Sequence, residues 1–374
     1  LQNLLVDKSY LADNDTQRYL VELVNKKNKK GFIECEFYVN LNKVKRIMCY
    51  RVDFAIKDDG RFYITAENYS GKNGNYSKNG FAPIYITKDG TLIHYADDKA
   101  YSYFKEKTLN LLDKQTFITS ILDVKNMKKD LTHTENFFSL IILSVFAMSL
   151  YISLDEADNH MNYAIRERIR EMDEETFQKI GRDLFDVNSN EQMIEKPLFG
   201  KYEEKISRMC DFVKIFKPEL QSIEIEKKDY NQFYRCNLKM VYEDYSLDKE
   251  FESRGIKKLM NLFHYLDAAS SGFMVFIDEL DSNINDVYLD KLIEYFIYYG
   301  RGQLCFTSHN LSPMSVLKGN KNSINFISSI NTVHVWANSG NLSPENAYKN
   351  GFIEDSPFNV DASDFLGILG DINE

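Results

Sequence analysis

The sequence predicts an α/β fold in which one α/β domain carries an antiparallel β meander and a helical insert. Three stretches of the 374-residue chain support this prediction. Residues 31–97 are rich in β-branched and aromatic residues, residues 101–220 show helical periodicity, and strand-like and helix-like segments alternate from about residue 231 onward. We therefore divide the chain into an N-terminal part (1–100), a helical insert (101–230) and a C-terminal α/β lobe (231–374).

The meander is predicted by its turn residues as much as by its strands. Asp59-Gly60 and Asp89-Gly90 separate apolar runs, and Asp-Gly is one of the strongest short hairpin signals because the turn requires positive φ angles. Hairpins of this kind join neighbouring strands in antiparallel fashion. Between them, residues 71–80 (GKNGNYSKNG) are predicted to form a flexible polar loop.

The helical insert is predicted from an apolar stripe with steps of three to five residues on otherwise charged helices. Its arginines and glutamates lie close together, which is more typical of a solvated, salt-bridged face than of a nucleic-acid stripe. Residues 137–152, interrupted by three serines, are shorter than the roughly 20 apolar residues that a bilayer needs, so we expect a buried core helix there. The stripe consists of Met161, Ile165, Ile169, Met172, Phe177, Ile180 and Leu184.

The C-terminal lobe is predicted from short apolar runs. Residues 273–277 (FMVFI) are wholly apolar, as in a strand that is buried on both faces of a parallel sheet. A helical segment follows, and then QLCFT (303–307) and TVHVWA (332–337) are predicted as further strands. Strand, helix and strand at this spacing form a βαβ unit with a right-handed crossover.

Composition excludes several classes of protein. A content of 44% hydrophobic and 27% charged residues is typical of a soluble globular protein, and the formal net charge of −10 argues against nonspecific nucleic-acid binding over the whole surface. Five widely spaced cysteines without a CxxC pair argue against a disulfide framework or a zinc site and favour the cytoplasm. No signal peptide or membrane span is expected. Leu1 opens a segment that reads like the middle of a helix, so we expect natural residues upstream.

The candidate chemistry lies in the C-terminal lobe. Asp278 and Glu279 follow the apolar strand directly, at the sheet edge where open α/β sheets bind ligands. A hydrophobic strand followed by Asp-Glu is the Walker B pattern of P-loop NTPases. The first carboxylate would hold Mg²⁺ and the second would act as a general base toward water. Acidic pairs also end many ordinary strands, so this pattern alone leaves both interpretations open.

Two further signals accompany the acidic pair. His309 follows the next strand of the βαβ unit, so it should lie beside Asp278 and Glu279, within reach of a γ-phosphate. Ser253 and Gly255 begin an amphipathic helix just before the strand, where free N–H groups and close backbone approach suit a phosphate. Taken singly, a histidine at a strand end and a serine N-cap are ordinary structural features. What favours a nucleotide site is their order: a helix that begins with Ser-x-Gly, an apolar strand with Asp-Glu, a helix, and a strand followed by His.

That order, over residues 251–310, resembles the ATP-binding-cassette-like group of P-loop ATPases, which includes the SMC, RecF and OLD-family heads. The nearest in character are bacterial AAA-type ATPases of antiphage and abortive-infection systems. The resemblance implies roles residue by residue. Ser253 and Gly255 match the signature motif, and Asp278 matches the Mg²⁺-binding Walker B aspartate. Glu279 would be the catalytic glutamate, His309 the switch histidine, and Asn283 part of the D-loop that crosses to the partner.

The resemblance implies an enzyme that binds and hydrolyses ATP with Mg²⁺ and forms a homodimer or higher homo-oligomer around the nucleotide. As a switch or sensor it would control an effector nuclease or toxin, with DNA as a further candidate partner. The alternative is a noncatalytic scaffold of the same fold for assembly or DNA binding. The sequence departs from the family in one respect, since no G-x-x-x-x-G-K-[ST] loop is present. We expect that loop upstream of Leu1, because the nearest similar segment, at Lys72, is followed by Asn and lies in a hairpin.

Overall fold

The computed structural model describes residues 1–41, 44–74, 80–112, 114–122, 134–154, 191–230, 233–282, 284–320, 322–328, 332–336, 342–354 and 356. Of these, the residues up to Leu150 form one compact unit and the residues from Tyr151 onward form a second. The predicted apolar stripe from Met161 to Leu184 and the D-loop candidate Asn283 lie outside the described residues. The division into three parts predicted above stays a prediction.

The first unit is built on the predicted meander, an antiparallel sheet in the order β1-β2-β3-β4-β5. Its turns follow the sequence signals, because Gly60, Asp89 and Gly90 all have positive φ angles. The polar loop predicted for residues 71–80 begins later than expected, since residues up to Asn73 belong to β3 and pair with β2. The strands are β1 (Lys30–Leu41), β2 (Val44–Ile56), β3 (Phe62–Asn73), β4 (Ala82–Lys88) and β5 (Thr91–Tyr95).

Helices cover the inner face of this sheet. The ring of Phe146 stacks on Phe37 of β1 with ring centroids 3.9 Å apart, and the Tyr69 hydroxyl donates to the carbonyl of Ser139 at 2.9 Å. The predicted core helix over residues 137–152 is therefore confirmed in part, because the helix ends at Met148 and a strand follows. The helices are α1 (Gln2–Val6), α2 (Asn14–Leu23), α3 (Asp98–Lys107), α4 (Phe117–Leu122) and α5 (Glu135–Met148).

A buried carboxylate lies at the centre of the first unit. Glu67 on β3 accepts hydrogen bonds from the Tyr50 hydroxyl at 2.8 Å, the Tyr85 hydroxyl at 3.2 Å and the backbone N–H of Phe117, which begins α4, at 2.8 Å. The Thr87 hydroxyl on β4 donates to the same carboxylate at 3.4 Å. Burial raises the pKa of Glu67 to about 7, although these hydrogen bonds oppose the shift. Glu67 thus joins three strands of the sheet to the start of a helix.

The second unit contains three sheets. The parallel sheet has the order β12-β11-β6, and an antiparallel sheet has the order β10-β9-β7 with β8 also paired to β9. The third sheet is the antiparallel pair β13 and β14. The strands are β6 (Leu150–Ser153), β7 (Glu191–Glu195), β8 (Ser222–Tyr230), β9 (Phe233–Val241), β10 (Ser246–Asp248), β11 (Met274–Ile277), β12 (Gln303–Phe306), β13 (Asn325–Ile327) and β14 (Val333–Val335).

Helices alternate with the strands of the parallel sheet, as the βαβ pattern predicts. The helix between β11 and β12 begins at Asp286 and buries Leu289 and Ile293. The helix before β11 ends at Gly272, whose φ of 108° is a left-handed conformation suited to glycine. The helices are α6 (Phe199–Phe216), α7 (Arg254–Ser271), α8 (Asp286–Tyr299), α9 (Ser312–Leu317) and α10 (Pro344–Lys349).

One sequence prediction for this unit needs correction, and another is confirmed. FMVFI is not buried on both faces, because Val275 and Ile277 are buried but Phe276 remains 38% exposed. Successive side chains of a strand point to opposite faces, so only one face of β11 is fully covered by described residues. The strand predicted within TVHVWA is confirmed as β14, which pairs with β13 in an antiparallel hairpin. None of the described helices is long and apolar enough to cross a membrane.

Candidate functional site

The candidate site lies where two parallel strands end. β11 and β12 pair in register, with Ile277 opposite Phe306, so the residues that follow them emerge at the same sheet edge. The backbone pairing continues past both ends. The Thr307 N–H donates to the carbonyl of Ile277 at 3.0 Å, and the Leu280 N–H donates to the carbonyl of Thr307 at 3.1 Å. Asp278 and Glu279 are therefore held directly beside the segment that leads to His309.

Thr307 fixes the acidic pair through its side chain. Its hydroxyl donates to the Asp278 carboxylate and accepts the Glu279 N–H at 2.9 Å. On the other side, the Asp278 N–H donates to the carbonyl of Ser153 on β6 at 2.8 Å. These contacts leave Asp278 exposed but set its position from both neighbouring strands. The role of Thr307 was missed at the sequence level, because only the strand register brings its hydroxyl to the acidic pair.

Glu279 has an unusual backbone. Its φ is 49°, in the left-handed region that residues other than glycine seldom occupy. This conformation turns the chain immediately after β11, and Glu279 Oε1 lies 3.9 Å from His309 Nε2. The Glu279 side chain is 52% exposed and the His309 side chain is 91% exposed, so both are open to solvent. A strained backbone at an exposed acidic residue is a feature that functional sites often show.

A polar network supports the loops around this pair. The Asn310 N–H donates to Asp281 Oδ2 at 3.1 Å, and the Asn310 side-chain amide donates to Asp286 at 2.6 Å. The loop after β12 is thereby tied to the turn after β11 and to the start of α8. Asp281 Oδ1 is buried and has no hydrogen-bond partner among the described residues. Such an oxygen is costly to bury without a partner, so it marks a place that a donor or a cation could satisfy.

The helix α7 begins with the two signature candidates. Ser253 is its N-cap, and its hydroxyl accepts the Ile256 N–H at 3.3 Å. A Cβ added to Gly255 would meet no described atom within 4 Å. Packing among the described residues therefore gives no reason for a glycine there. A ligand or another subunit that approaches the helix closely would be a reason for glycine at this position.

A buried carboxylate anchors this helix start. The side chain of Glu252 is only 4% exposed and accepts a hydrogen bond from the Tyr242 hydroxyl and one from the Ser253 N–H at 2.9 Å. Lys217, which follows α6, places its ammonium 3.5 Å from the same carboxylate and 4.6 Å from the centre of the Tyr242 ring. Glu252 thus fixes the start of α7 against β9 and the end of α6. Sequence reasoning did not single it out.

The helix α7 precedes β11 directly. It contacts this strand, and a turn at Gly272 joins the two elements. The structure brings Asp278, Glu279 and His309 together, whereas Ser253 and Gly255 have no contact with these three among the described contacts.

The acidic side chains of the candidate site could hold Mg²⁺ only together with further ligands. The described residues contain no group of three or more His, Cys, Asp or Glu that could hold a metal ion by themselves. Mg²⁺ usually keeps several waters and takes one or two protein carboxylates together with substrate phosphates. Asp278, exposed and fixed by Thr307, meets that requirement as a single carboxylate ligand.

Comparison with known proteins adds little to this geometry. No protein-family model matches the chain, and no curated protein matches it. Among solved structures, it is similar to the Smc head domain with an extended coiled coil, bound to the C-terminal domain of ScpA, from Pyrococcus furiosus. The TM-score is 0.28 and the identity 11%, over 73% of this chain and 72% of that chain. A similarity this slight supports no conclusion about function.

Proposed function

We propose that the protein is an ATP-binding and ATP-hydrolysing subunit of the ABC/SMC-like kind, with the hydrolytic half of its site at the end of β11 and β12. The observation that carries this proposal is the meeting of Asp278, Glu279 and His309 at one sheet edge, with Glu279 and His309 3.9 Å apart. Open parallel sheets bind their ligands at the carboxyl ends of the strands. The two carboxylates and the histidine are exposed there, so substrate could reach them.

The chemistry follows from the different settings of these side chains. Asp278 would hold Mg²⁺ directly or through water, and the bound ion would offset the phosphate charge. Glu279 would orient a water molecule for in-line attack and accept its proton. His309 Nε2 would donate a hydrogen bond to a γ-phosphate oxygen. The positive φ of Glu279 supports these separate roles, because it turns the chain at the end of β11 and Glu279 Oε1 lies 3.9 Å from His309 Nε2.

The phosphate-binding half of such a site must come from outside residues 1–374. The sequence contains no G-x-x-x-x-G-K-[ST] loop, and the nearest similar segment lies within β3, where Lys72 sits 4.1 Å over the Phe81 ring. The proposal therefore requires that this loop be supplied by other residues. In the arrangement we propose, ATP lies between two protomers, and Ser253 and Gly255 of one face the nucleotide of the other.

Control of a partner by this ATPase is part of the proposal. A homodimer that closes on ATP and opens after hydrolysis would act as a switch or sensor, and its output would be an effector nuclease or toxin in antiphage defence. This part rests only on the resemblance of the motifs. A noncatalytic scaffold of the same fold is the alternative.

The deciding experiment uses the natural polypeptide that contains residues 1–374. Glu279→Gln keeps the shape of the side chain but removes the base, so steady-state ATP hydrolysis should fall by at least roughly a hundredfold while ATP binding persists. The matched control is Glu294→Gln, which changes a partly exposed glutamate of the same unit that pairs with Lys291 and should leave hydrolysis unchanged. Equal rates in Glu279→Gln and the unmodified protein would refute the assignment. An unmodified protein that neither binds nor hydrolyses ATP would favour the scaffold.

A further inference from the structure

The strand β1 is a long open edge of the first unit. It pairs with β2 along its whole length, and no described strand pairs with its other side. An open edge of 12 residues is unusual, because strands average about five or six residues and natural proteins tend to shorten or cover their edges. Such an edge presents backbone donors and acceptors in the spacing that another strand requires.

The register identifies which residues face outward. The Ile56 N–H donates to the carbonyl of Lys29, so the odd-numbered residues of β1 direct their N–H and C=O groups to β2. The even-numbered residues direct theirs to the open side. We call these the outer-edge residues, and each is exposed. They are Lys30, Phe32, Glu34, Glu36, Tyr38 and Asn40.

The charge of the outer edge favours a cationic partner. Glu34 lies 3.3 Å from Arg51, but that guanidinium is closer to Asp53, at 2.7 Å. Glu36 forms no ion pair among the described residues. Glu34 and Glu36 are consecutive outer-edge residues, so positive side chains at the facing positions of an added strand would lie opposite carboxylates. Opposite charges across two strands stabilise their pairing. Tyr38 and Phe32, 56% and 57% exposed, lie on either side of these two glutamates. Tyr38 offers apolar contact, whereas the Arg51 guanidinium lies 4.1 Å from the centre of the Phe32 ring.

A second copy of this chain fits the edge poorly in the registers that pair most of β1. A two-fold antiparallel pairing of two β1 strands centred on residue 34, 35 or 36 would set glutamate opposite glutamate at least once. Like charges directly opposite each other destabilise a strand pair. The same carboxylates that would attract a cationic strand therefore repel another β1.

We propose that the outer edge of β1 is a docking site for an extended, lysine- or arginine-bearing segment of another polypeptide, which adds to the sheet as a sixth strand. Backbone hydrogen bonds to the outer-edge residues would provide affinity, and Glu34 and Glu36 would select basic side chains on the facing positions of the incoming strand. This docking site is independent of the nucleotide site proposed for the second unit.

The test uses two capped peptides of about ten residues, one alternating lysine with valine and threonine and the other with glutamate in place of lysine. Binding is measured by fluorescence anisotropy. The lysine peptide should bind the protein at least about tenfold more tightly, since two cross-strand charge pairs change from favourable to unfavourable. The double variant Glu34→Lys with Glu36→Lys should reverse the preference. Equal binding of the two peptides, or a preference unmoved by the double variant, would overturn the proposal.

A proline variant separates strand addition from simple charge attraction. Glu36→Pro removes an N–H that points outward and leaves the pairing with β2 intact, so the fold should be kept while binding of the lysine peptide is lost. Glu36→Thr is the matched control, because it removes the same charge but keeps the N–H, and it should only weaken binding. Unchanged binding by Glu36→Pro would overturn the proposal.

Amide hydrogen exchange, followed residue by residue by NMR, locates the contact. The lysine peptide should slow exchange at Phe32, Glu34, Glu36 and Tyr38 and leave the odd-numbered amides unchanged, since those already bond to β2. If these even-numbered amides are protected without peptide in the natural polypeptide, its own residues cover the edge and the proposal of a separate partner fails. Concentration-dependent protection without peptide would show a second copy there, which also contradicts it.

Discussion

At the scale of single residues, a hydroxyl group organises the candidate site. The exposed carboxylates of Asp278 and Glu279 would be free to adopt many positions if nothing held them. Thr307 removes part of that freedom by donating to Asp278 and accepting from the backbone of Glu279. The residue that positions a reactive group can matter as much as the group itself, because a shift of about 1 Å can cost a hundredfold in rate.

Replacement of Thr307 by valine should therefore impair hydrolysis without unfolding the protein. Valine keeps the β-branched shape at an exposed position but removes both hydrogen bonds, so we expect ATP turnover of the natural polypeptide to fall about ten- to a hundredfold. The free energy of unfolding should fall by only about 1 kcal/mol. Thr307→Ser keeps the hydroxyl and should retain most activity. Similar rates for the valine and serine variants would show that the hydroxyl does not position the acidic pair.

Glu67 predicts a pH dependence of stability. Its pKa is raised from 4.5 to about 7 by burial, so the folded state binds the proton more tightly than the unfolded state. The resulting stabilisation is fully present below about pH 4.5 and is lost as the pH rises through about 7. Its size is on the order of 3 kcal/mol, since each unit of pKa corresponds to about 1.4 kcal/mol.

The measurement compares urea unfolding of the unmodified protein and Glu67→Gln between pH 5 and pH 8. Glutamine stays neutral, so the difference in unfolding free energy between the two proteins should change across this range, with glutamine gaining relative stability as the pH rises. Glu36→Gln, at an exposed position of the same sheet, serves as the control for the loss of a carboxylate. Parallel curves for the unmodified protein and Glu67→Gln would contradict the assigned titration.

At the scale of secondary structure elements, substitutions at the start of α7 should affect stability and function differently. A Cβ added to Gly255 would meet no described atom within 4 Å, and alanine is the better helix former. Gly255→Ala should therefore leave the protein as stable or slightly more stable in thermal unfolding. If a nucleotide or a partner approaches the helix closely, the same change should reduce ATP turnover, and the larger Gly255→Glu should abolish it. Full activity of Gly255→Glu would remove the signature assignment.

Local signals explain which elements were predictable. The meander was predicted because two of its hairpins carry an Asp-Gly turn pair, and Asp89 and Gly90 adopt the positive φ angles that this pair indicates. The nearness of His309 to Glu279 was predicted because parallel strands end at one edge. In contrast, β6 joins β11 only through the register of distant segments, and the sheet of β7 to β10 has no comparable turn signal. The hydrogen bonds of Thr307 and Glu67 depend on the same long-range pairing.

At the scale of the whole molecule, the proposed assembly makes each site from two chains. Glu279→Gln should inactivate one half of a composite site, and Gly255→Glu the other half. In a two-fold dimer, mixing the two inactive proteins in equal amounts gives half mixed dimers, each with one working site of two. Activity should then recover to roughly a quarter of the unmodified value.

The assay follows phosphate release while one purified variant of the natural polypeptide is titrated into the other. Subunit exchange is verified independently with differently labelled chains. If each chain carried a complete site, no mixture could regain activity, so a flat baseline despite verified exchange would contradict the shared site.

The left-handed backbone of Glu279 implies a trade-off under selection. A β-carbon in that conformation costs about 1–2 kcal/mol, which glycine would avoid and which asparagine or aspartate would reduce. A library randomised at residue 279 and screened for heat resistance alone should therefore enrich glycine and asparagine. The same library screened for ATP turnover should return glutamate. If the two screens select different residues at position 279, natural selection has kept activity there at the expense of thermal stability.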